Sequence, residues 1–205
     1  MAKIKLTKGE LKRQRDCLRQ YERYLPTLQL KKQQLQLEIL HQHGLHAQST
    51  QACGAQKNTL MHWAGLLAEA PQELKAWLVP SLVLTESKNI AGVDIPVFKR
   101  ADFPEAAYDL FALPLWVDSG LIALRELVSL QEKLKVIEKG IAILTQELRI
   151  TAQRVNLFEK VKIPEAKEVI RLIKIFLGDQ MANAVGRSKI AKGKIEENIL
   201  EEAPA

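Results

Sequence analysis

The stretch from residue 127 to residue 158, LVSLQEKLKVIEKGIAILTQELRITAQRVNLF, decides the fold. Two rows of positions repeat every seven residues through it, and nine of their ten residues are apolar. The rows consist of Leu127, Leu134, Ile141, Leu148 and Val155, and of Leu130, Ile137, Leu144, Thr151 and Phe158. Such a repeat between polar flanks is typical of a coiled-coil seam, here about 47 Å long at ~1.5 Å per residue. The alternative is one amphipathic helix on a globular core.

A weaker copy of the repeat occupies the N-terminal part of the chain. Its rows consist of Leu11, Leu18, Leu25, Lys32 and Ile39, and of Gln14, Tyr21, Leu28, Leu35 and Gln42. A second apolar edge consists of Leu30, Leu37 and Leu40. Pro26 lies inside the repeat, so we expect the helix to kink there. The alternative is two shorter helices broken near Tyr24.

Proline placement divides the chain into three parts. Five of the eight prolines fall between residues 71 and 114, whereas residues 27–70 and 115–163 contain none. Because proline costs about 3 kcal/mol inside a helix, the two proline-free stretches predict long helices. We therefore predict an N-terminal coiled-coil helix at residues 1–49, a central insert at 50–118, and a C-terminal coiled-coil helix with its tail at 119–205. The predicted fold is mainly α, a long antiparallel two-helix coiled coil with a small insert that contains a short β-hairpin.

The central insert mixes a helical pattern with two short apolar runs. Residues 58–77 place leucines and tryptophans on one side of a predicted helix. Residues 82–85 and 93–98 are the apolar runs, and residues 87–92 between them supply turn formers. This pattern predicts a β-hairpin, which must pack against a helix because two strands alone are marginally stable.

Both ends of the chain are basic. The 205 residues include 30 Lys and Arg against 24 Asp and Glu, a net charge of +6. Eight of the basic residues lie before residue 26, against three acids, and six lie between Arg171 and Ile195, against Asp179 alone. If the two arms pair antiparallel, these ends converge on a positive tip; the alternative is an ordinary solvated face. A basic balance suits an acidic partner or a nucleic acid without choosing between them.

Composition and the N-terminus exclude several classes of protein. The low aromatic content, 5%, and the ten glycines argue against a collagen-like chain or a glycine-rich sandwich. No run of 18 apolar residues exists, so we expect no membrane span. The charged N-terminus has no apolar core, so we expect no secretory signal, and Cys17 and Cys53 are expected to be reduced thiols in a cytosolic protein.

No recognisable catalytic motif is present. His43 and His46 have a spacing that suits one helix face, but His41 and Cys53 do not join them in a metal motif. The order of residues 186–189, GRSK, is wrong for a phosphate-binding loop. Asp118 and Ser119 are more simply explained as a helix cap. We therefore predict no catalytic residue, no cofactor and no metal.

Three segments resemble a known family, the D subunits of the V-type and archaeal A-type rotary ATPases. They are LTK at 6–8 with Glu10 and Leu11, NIAGVDIP at 89–96, and TAQRVN at 151–156 followed by Glu159, Ile163, Pro164, Ile170 and Ile173. The positions that match the family motifs are Thr7, Gly92, Pro96, Arg154, Val155, Asn156, Ile163 and Pro164. Thr7 and Glu10 also fit a capping box at the helix start. The sequence departs from the family at Pro26, at Gln33-Gln34 and in the tail after Phe176.

The resemblance implies a non-catalytic central rotor shaft, the central stalk of the complex. Such a shaft couples ATP hydrolysis or synthesis in a hexamer of A and B subunits to H⁺ or Na⁺ translocation through the membrane ring. Its implied partners are the A and B subunits, the F subunit and the funnel-like subunit on the membrane ring, without nucleic acid and without membrane insertion. The implied location is cytoplasmic, peripheral to the membrane, in the soluble V1-type sector. A coiled-coil scaffold and a nucleic-acid-binding helical hairpin are the alternatives, although no aromatic platform accompanies the basic residues.

Overall fold

The chain is mainly helical, with one hairpin between its long helices. The computed structural model describes residues 5–71, 73–107, 109 and 113–202. The helices are α1, Lys8–Met61, α2, Leu74–Leu78, α3, Trp116–Leu157, and α4, Ile163–Glu202, with a 3₁₀ turn at Ala64–Glu69 and a π-helical turn at Phe158–Lys162. The strands are β1, Leu82–Ile90, and β2, Val93–Asp102, which pair antiparallel. These elements confirm the predicted fold class.

The chain divides into two compact units. The insert unit is Leu30–Ala152. The arm unit consists of the described residues of Met1–Gln29 and Gln153–Ala205. Among the residues that the structure describes, no helix combines the length and the apolar character needed to cross a membrane.

In the insert unit, α1 and α3 run antiparallel. Polar contacts between the two helices include Lys31 Nζ with Glu147 Oε1 at 3.0 Å, His46 Nε2 with Glu138 Oε1 at 3.3 Å, and Gln56 Nε2, which donates to Glu126 Oε2 at 3.0 Å. As the residue number rises along α1, the number of its contacting residue on α3 falls, so the two helices run in opposite directions. The side chains of α3 at the predicted seam positions, from Leu127 to Thr151 in the two rows, are buried or half-buried.

Helix α1 continues to Met61, beyond the predicted boundary at residue 49. His46, Cys53 and Leu60 extend the seven-residue row that starts at Leu11, so these turns keep an inward face. The predicted helix at 58–77 is wrong. Its first residues belong to α1, and the rest form the 3₁₀ turn and α2, with Pro71, a residue that disfavours helix, between these two elements.

The hairpin is longer than predicted, and residues 87–90, expected in the turn, belong to β1. The turn needs only Ala91 and Gly92, whose φ angles are 51° and 77°. Two consecutive positive φ values are the geometry of a type I′ turn, which follows the twist of paired strands. Because only two residues make the turn, the strands extend toward it on both sides.

The turn end of the hairpin packs against α1 and α3. Ile95 is buried in one cluster with Leu35 and Leu144. The carbonyl oxygen of Pro96 lies 3.9 Å from the position that a Cβ on Gly140 would occupy, so β2 passes α3 here at ordinary contact distance. The helices thus supply the packing that an isolated hairpin lacks.

In the arm unit, α1 faces the end of α3 and the start of α4. The Tyr21 and Phe158 rings stack with centroids 5.4 Å apart, and Lys167 Nζ lies 3.6 Å from Glu22 Oε1. Helix α1 runs through Pro26 as one helix, so the alternative of two helices broken near Tyr24 is wrong. The kink expected at Pro26 stays a prediction.

The π-helical turn shifts the buried row of the arm unit by one residue. Continued from Val155, the seven-residue repeat would place residues 165, 169 and 172 in the seam. The buried residues are Ala166, Ile170 and Ile173 instead, and Leu172 is 41% exposed whereas Ile173 is 0% exposed. Each lies one position later, because the π turn accommodates one extra residue.

Candidate functional site

The sequence-predicted positions fall on helix faces and on the hairpin. In the described part of the chain, no three His, Cys, Asp or Glu side chains are grouped so that they could hold a metal ion. His46 contacts Glu138, and His41 Nδ1 lies 3.5 Å from Glu38 Oε1. Residues 186–189 are exposed within α4, so they form no loop around a phosphate.

Asp118 lies in the first turn of α3 and is not its N-cap, because the helix begins at Trp116. The predicted cap at Asp118 and Ser119 is therefore wrong by position. A carboxylate in the first turn still interacts favourably with the positive end of the helix dipole.

The family-motif residues at the hairpin shape its turn. Gly92 occupies the second left-handed position, and its N–H donates to Asn89 Oδ1 at 3.1 Å. Asn89 Nδ2 in turn donates to Asp94 Oδ1 at 2.7 Å. Asn89 thus spans the turn, which presents Ala91 and Val93 to the cluster around Leu35.

The other motif residues lie at a helix start and around the π turn. At the start of α1, the Glu10 N–H donates to Thr7 Oγ1 at 3.3 Å, an N-cap contact. Val155 is buried, whereas Arg154 and Asn156 beside it are exposed. Ile163 and Pro164 open α4 directly after the π turn. The motif residues therefore lie directly before and directly after the π turn, where the seam changes register.

The sequence alone did not identify Arg125, which attaches parts of the insert to α3. Its Nε donates to the carbonyl of Trp77 at 3.2 Å, and its Nη2 donates to the carbonyl of Pro104 at 2.6 Å. The guanidinium also lies over the Phe103 ring, 5.4 Å from its centroid. Helix α2 and the segment that follows β2 are thereby held against α3. The sequence pattern did not distinguish this arginine from others, because flanking positions of a coiled coil are normally charged.

The described basic residues of the predicted positive tip are exposed on both helices. They are Lys5, Lys8, Lys12, Arg13, Arg15, Arg19 and Arg23 toward the start of α1, and Arg171, Lys174, Arg187, Lys189, Lys192 and Lys194 on α4. Lys3, counted in the predicted positive tip, lies outside the described residues. Residues 178–192 are all exposed. A side-chain hydrogen bond with Glu168 raises the pKa of Arg171, and the same bond lowers the pKa of Glu168.

A second surface of α1 lacks charge. Between Gln33 and Gln56 the only charged residue is Glu38, which accepts a hydrogen bond from Gln42 at 2.8 Å. Leu37 and Leu40, each 68% exposed, lie on this stretch and line an open groove with Gln33, Gln36, Ile39 and Leu148. Depletion of charge together with exposed leucines is typical of the central part of a protein interface. We call the exposed residues among 33–56 of α1 the uncharged surface.

Comparison with known proteins gives consistent matches over nearly the whole chain. The model of the family described as the D subunit of ATP synthase matches residues 10–193. A V-type ATP synthase D subunit from Borreliella burgdorferi is 44% identical over 195 residues, covering 95% of this chain and 96% of the relative. Proteins of the same name from Chlamydia trachomatis and Chlamydia caviae are 34% and 35% identical over 200 residues, covering 96% of this chain and 98% and 95% of the relatives.

Proposed function

The chain belongs to the family of ATP synthase D subunits, and we propose that it is the non-catalytic central rotor shaft of a V-type ATPase or ATP synthase. In this role it couples ATP hydrolysis or synthesis in the A/B hexamer to H⁺ or Na⁺ translocation through the membrane ring. It works on the cytoplasmic side, peripheral to the membrane. The observation that carries the proposal is the antiparallel pairing of α1, 54 residues, with α3, 42 residues.

Paired long helices suit the transmission of torque. Two helices that interlock side chains along a shared seam resist bending and twisting more than a single helix does. We assign this pairing to Leu127, Leu130, Leu134, Ile137, Ile141, Leu144, Leu148 and Val155. Because α1 and α3 differ in sequence, their pair presents different surfaces in different directions. A shaft with unequal sides can place the three catalytic interfaces of a hexamer in three different states.

Two kinds of partner surface support the proposed assembly. A surface that turns inside the hexamer must not be trapped by any one of its subunits, and the exposed charged helices of the arm unit meet that need. We therefore place the arm unit's basic residues within the A/B hexamer. The uncharged surface suits a partner that stays bound and turns with the shaft, because apolar contacts favour lasting interfaces. We place the F subunit there, and the funnel-like subunit at the insert unit.

Co-purification from a membrane extract tests the proposal. A tagged copy of the chain is expressed in its own cells, and the proteins bound to it are identified by mass spectrometry. We expect the A and B subunits, the F subunit and the funnel-like subunit in constant ratio. Recovery of the chain with nucleic acid, or with unrelated proteins and without the A and B subunits, overturns the rotor assignment.

A further inference from the structure

We propose that two facing segments of the arm unit, residues 21–26 and residues 158–164, form a conformational joint at which the paired helices open and twist locally. We call these residues the joint. Local opening is a property of the chain alone. Its use, which is to let the shaft twist under load, rests on the proposed function.

The backbone of the joint lacks bonds that an uninterrupted α-helix has. Pro164 has no N–H to donate to the carbonyl of Lys160, and in a regular helix its ring would collide with that carbonyl. The preceding turn is π-helical, and the Ile163 N–H donates to the carbonyl of Phe158, five residues back. On the facing helix, Pro26 likewise has no N–H to donate four residues back.

These interruptions lie in one stretch of the arm unit, on either side of one ring contact. The Tyr21 ring, five residues before Pro26, stacks on Phe158, the first residue of the π turn, with 26° between the ring planes. The ion pair of Glu22 and Lys167 is exposed on both sides, so it adds little stability. Both helices are therefore interrupted within this stretch, and the ring contact lies between the two prolines.

The joint also has less buried packing than the seam on its C-terminal side. None of residues 5–29 is buried, and none of residues 156–165 is buried. The nearest buried residues on either side of the second range are Val155 and Ala166, and Ile170 and Ile173 are the next buried residues after Ala166. Segments with few buried contacts and interrupted backbone bonds open at lower free energy than well-packed helices do.

The spacing of the seam shows why the twist is weakly fixed here. Eleven residues separate Val155 from Ala166, where ten would keep the seven-residue repeat. Seven-residue spacing imposes a left-handed supercoil, whereas eleven-residue spacing removes or reverses it. The seven-residue interlocking that fixes the twist elsewhere is therefore interrupted at the joint, where the π turn takes up the extra residue.

Hydrogen exchange on the full chain, read by mass spectrometry, tests the joint. We expect the amides of residues 159–163 to exchange about tenfold faster than those of residues 169–173, which lie in the buried seam of the same unit. Equal protection of the two segments overturns the proposal. The comparison does not depend on assembly with any partner, so it is independent of the rotor assignment.

Two changes, made together in one combined variant, restore regular helix at the joint. Pro164→Ala supplies the missing N–H donor. Deleting Glu159 in the same chain removes the extra residue, so that Ala166, Ile170 and Ile173 fall into the repeat set by Val155. We expect the combined variant to slow exchange around the former π turn by about tenfold. Glu165→Ala, which leaves backbone donors and register unchanged, is the matched control and should exchange like the parent. Unchanged exchange in the combined variant overturns the proposal.

Rotation measured on single assembled complexes tests the use of the joint. With a probe attached to the insert unit, the angular spread of a paused rotor should narrow in the combined variant and stay at the parent value with Glu165→Ala. An unchanged spread in a variant whose exchange has slowed overturns the role in twisting. Failure of the parent chain to assemble with A and B subunits contradicts the proposed function and leaves the exchange result standing.

Discussion

Leu35 of α1 and Leu144 of α3 are both 0% exposed, and they bury Ile95 of the hairpin between the two helices in one cluster. The three residues come from three elements far apart in the sequence. This cluster therefore holds the paired helices together and attaches the hairpin to them. A substitution at any of these three residues should therefore weaken both the pairing of the helices and the attachment of the hairpin.

Leu144→Ala should lower the free energy of unfolding by about 2–5 kcal/mol, because it leaves a cavity where three elements meet. Leu37→Ala removes the same atoms from an exposed position and should change stability by less than about 0.5 kcal/mol. Urea denaturation followed by far-UV circular dichroism measures both. Equal effects of the two substitutions would show that the cluster around Leu144 is not tightly packed.

A charge in the seam should separate the helices. Ile141→Asp places a carboxylate at a half-buried seam position, where an unpaired charge costs several kcal/mol. We expect partial unfolding and loss of assembly with the A and B subunits. Thr145→Asp adds the same charge at an exposed position of the same helix and is the control. If Ile141→Asp melts like the parent and still supports ATP-driven rotation, the seam is assigned wrongly.

Two substitutions in the hairpin turn are expected to change the stability of the chain differently. Gly92→Ala puts a side chain at φ 77° and should destabilise the chain by about 1 kcal/mol. Ala91→Gly relieves φ 51° at the neighbouring residue, at some cost in unfolded-chain entropy, and should be neutral or stabilising by a few tenths of a kcal/mol. Thermal unfolding of both variants distinguishes them. Equal shifts in Tm would contradict the type I′ assignment.

Periodicity was enough to predict the paired helices, because burial of every third and fourth residue on α3 follows directly from its apolar rows. It was not enough at the hairpin. The turn conformation depends on two φ angles, and residues 87–89 have polar side chains common in turns that nevertheless pair as a strand. The π turn was also missed, since a one-residue shift of the seam shows only in which of two neighbouring apolar residues, Leu172 or Ile173, is buried.

The uncharged surface of α1 should be required for a bound partner and not for folding. Leu37→Glu and Leu40→Glu together add two charges at positions 68% exposed, so the chain should keep its melting temperature. The F subunit should be lost from the purified complex, because its contact would have to bury unpaired carboxylates. Asn58→Glu, also exposed on α1 but outside the uncharged surface, is the control. Retention of the F subunit by the leucine variant would place its site elsewhere.

Removal of the chain after Phe176 should weaken torque and coupling before it weakens binding of the F subunit. Residues 178–192 are exposed throughout, so their loss should leave the melting temperature of the remaining chain nearly unchanged. Their basic side chains are proposed to act inside the A/B hexamer, whereas the F subunit is placed on the uncharged surface of α1. We expect the truncated chain to retain the F subunit in a pull-down while ATP-driven ion transport falls. A full-length variant with Lys189, Lys192 and Lys194 changed to Gln separates the effect of charge from that of length. If truncation releases the F subunit and leaves contact with the hexamer intact, the proposed placement of the partners is inverted.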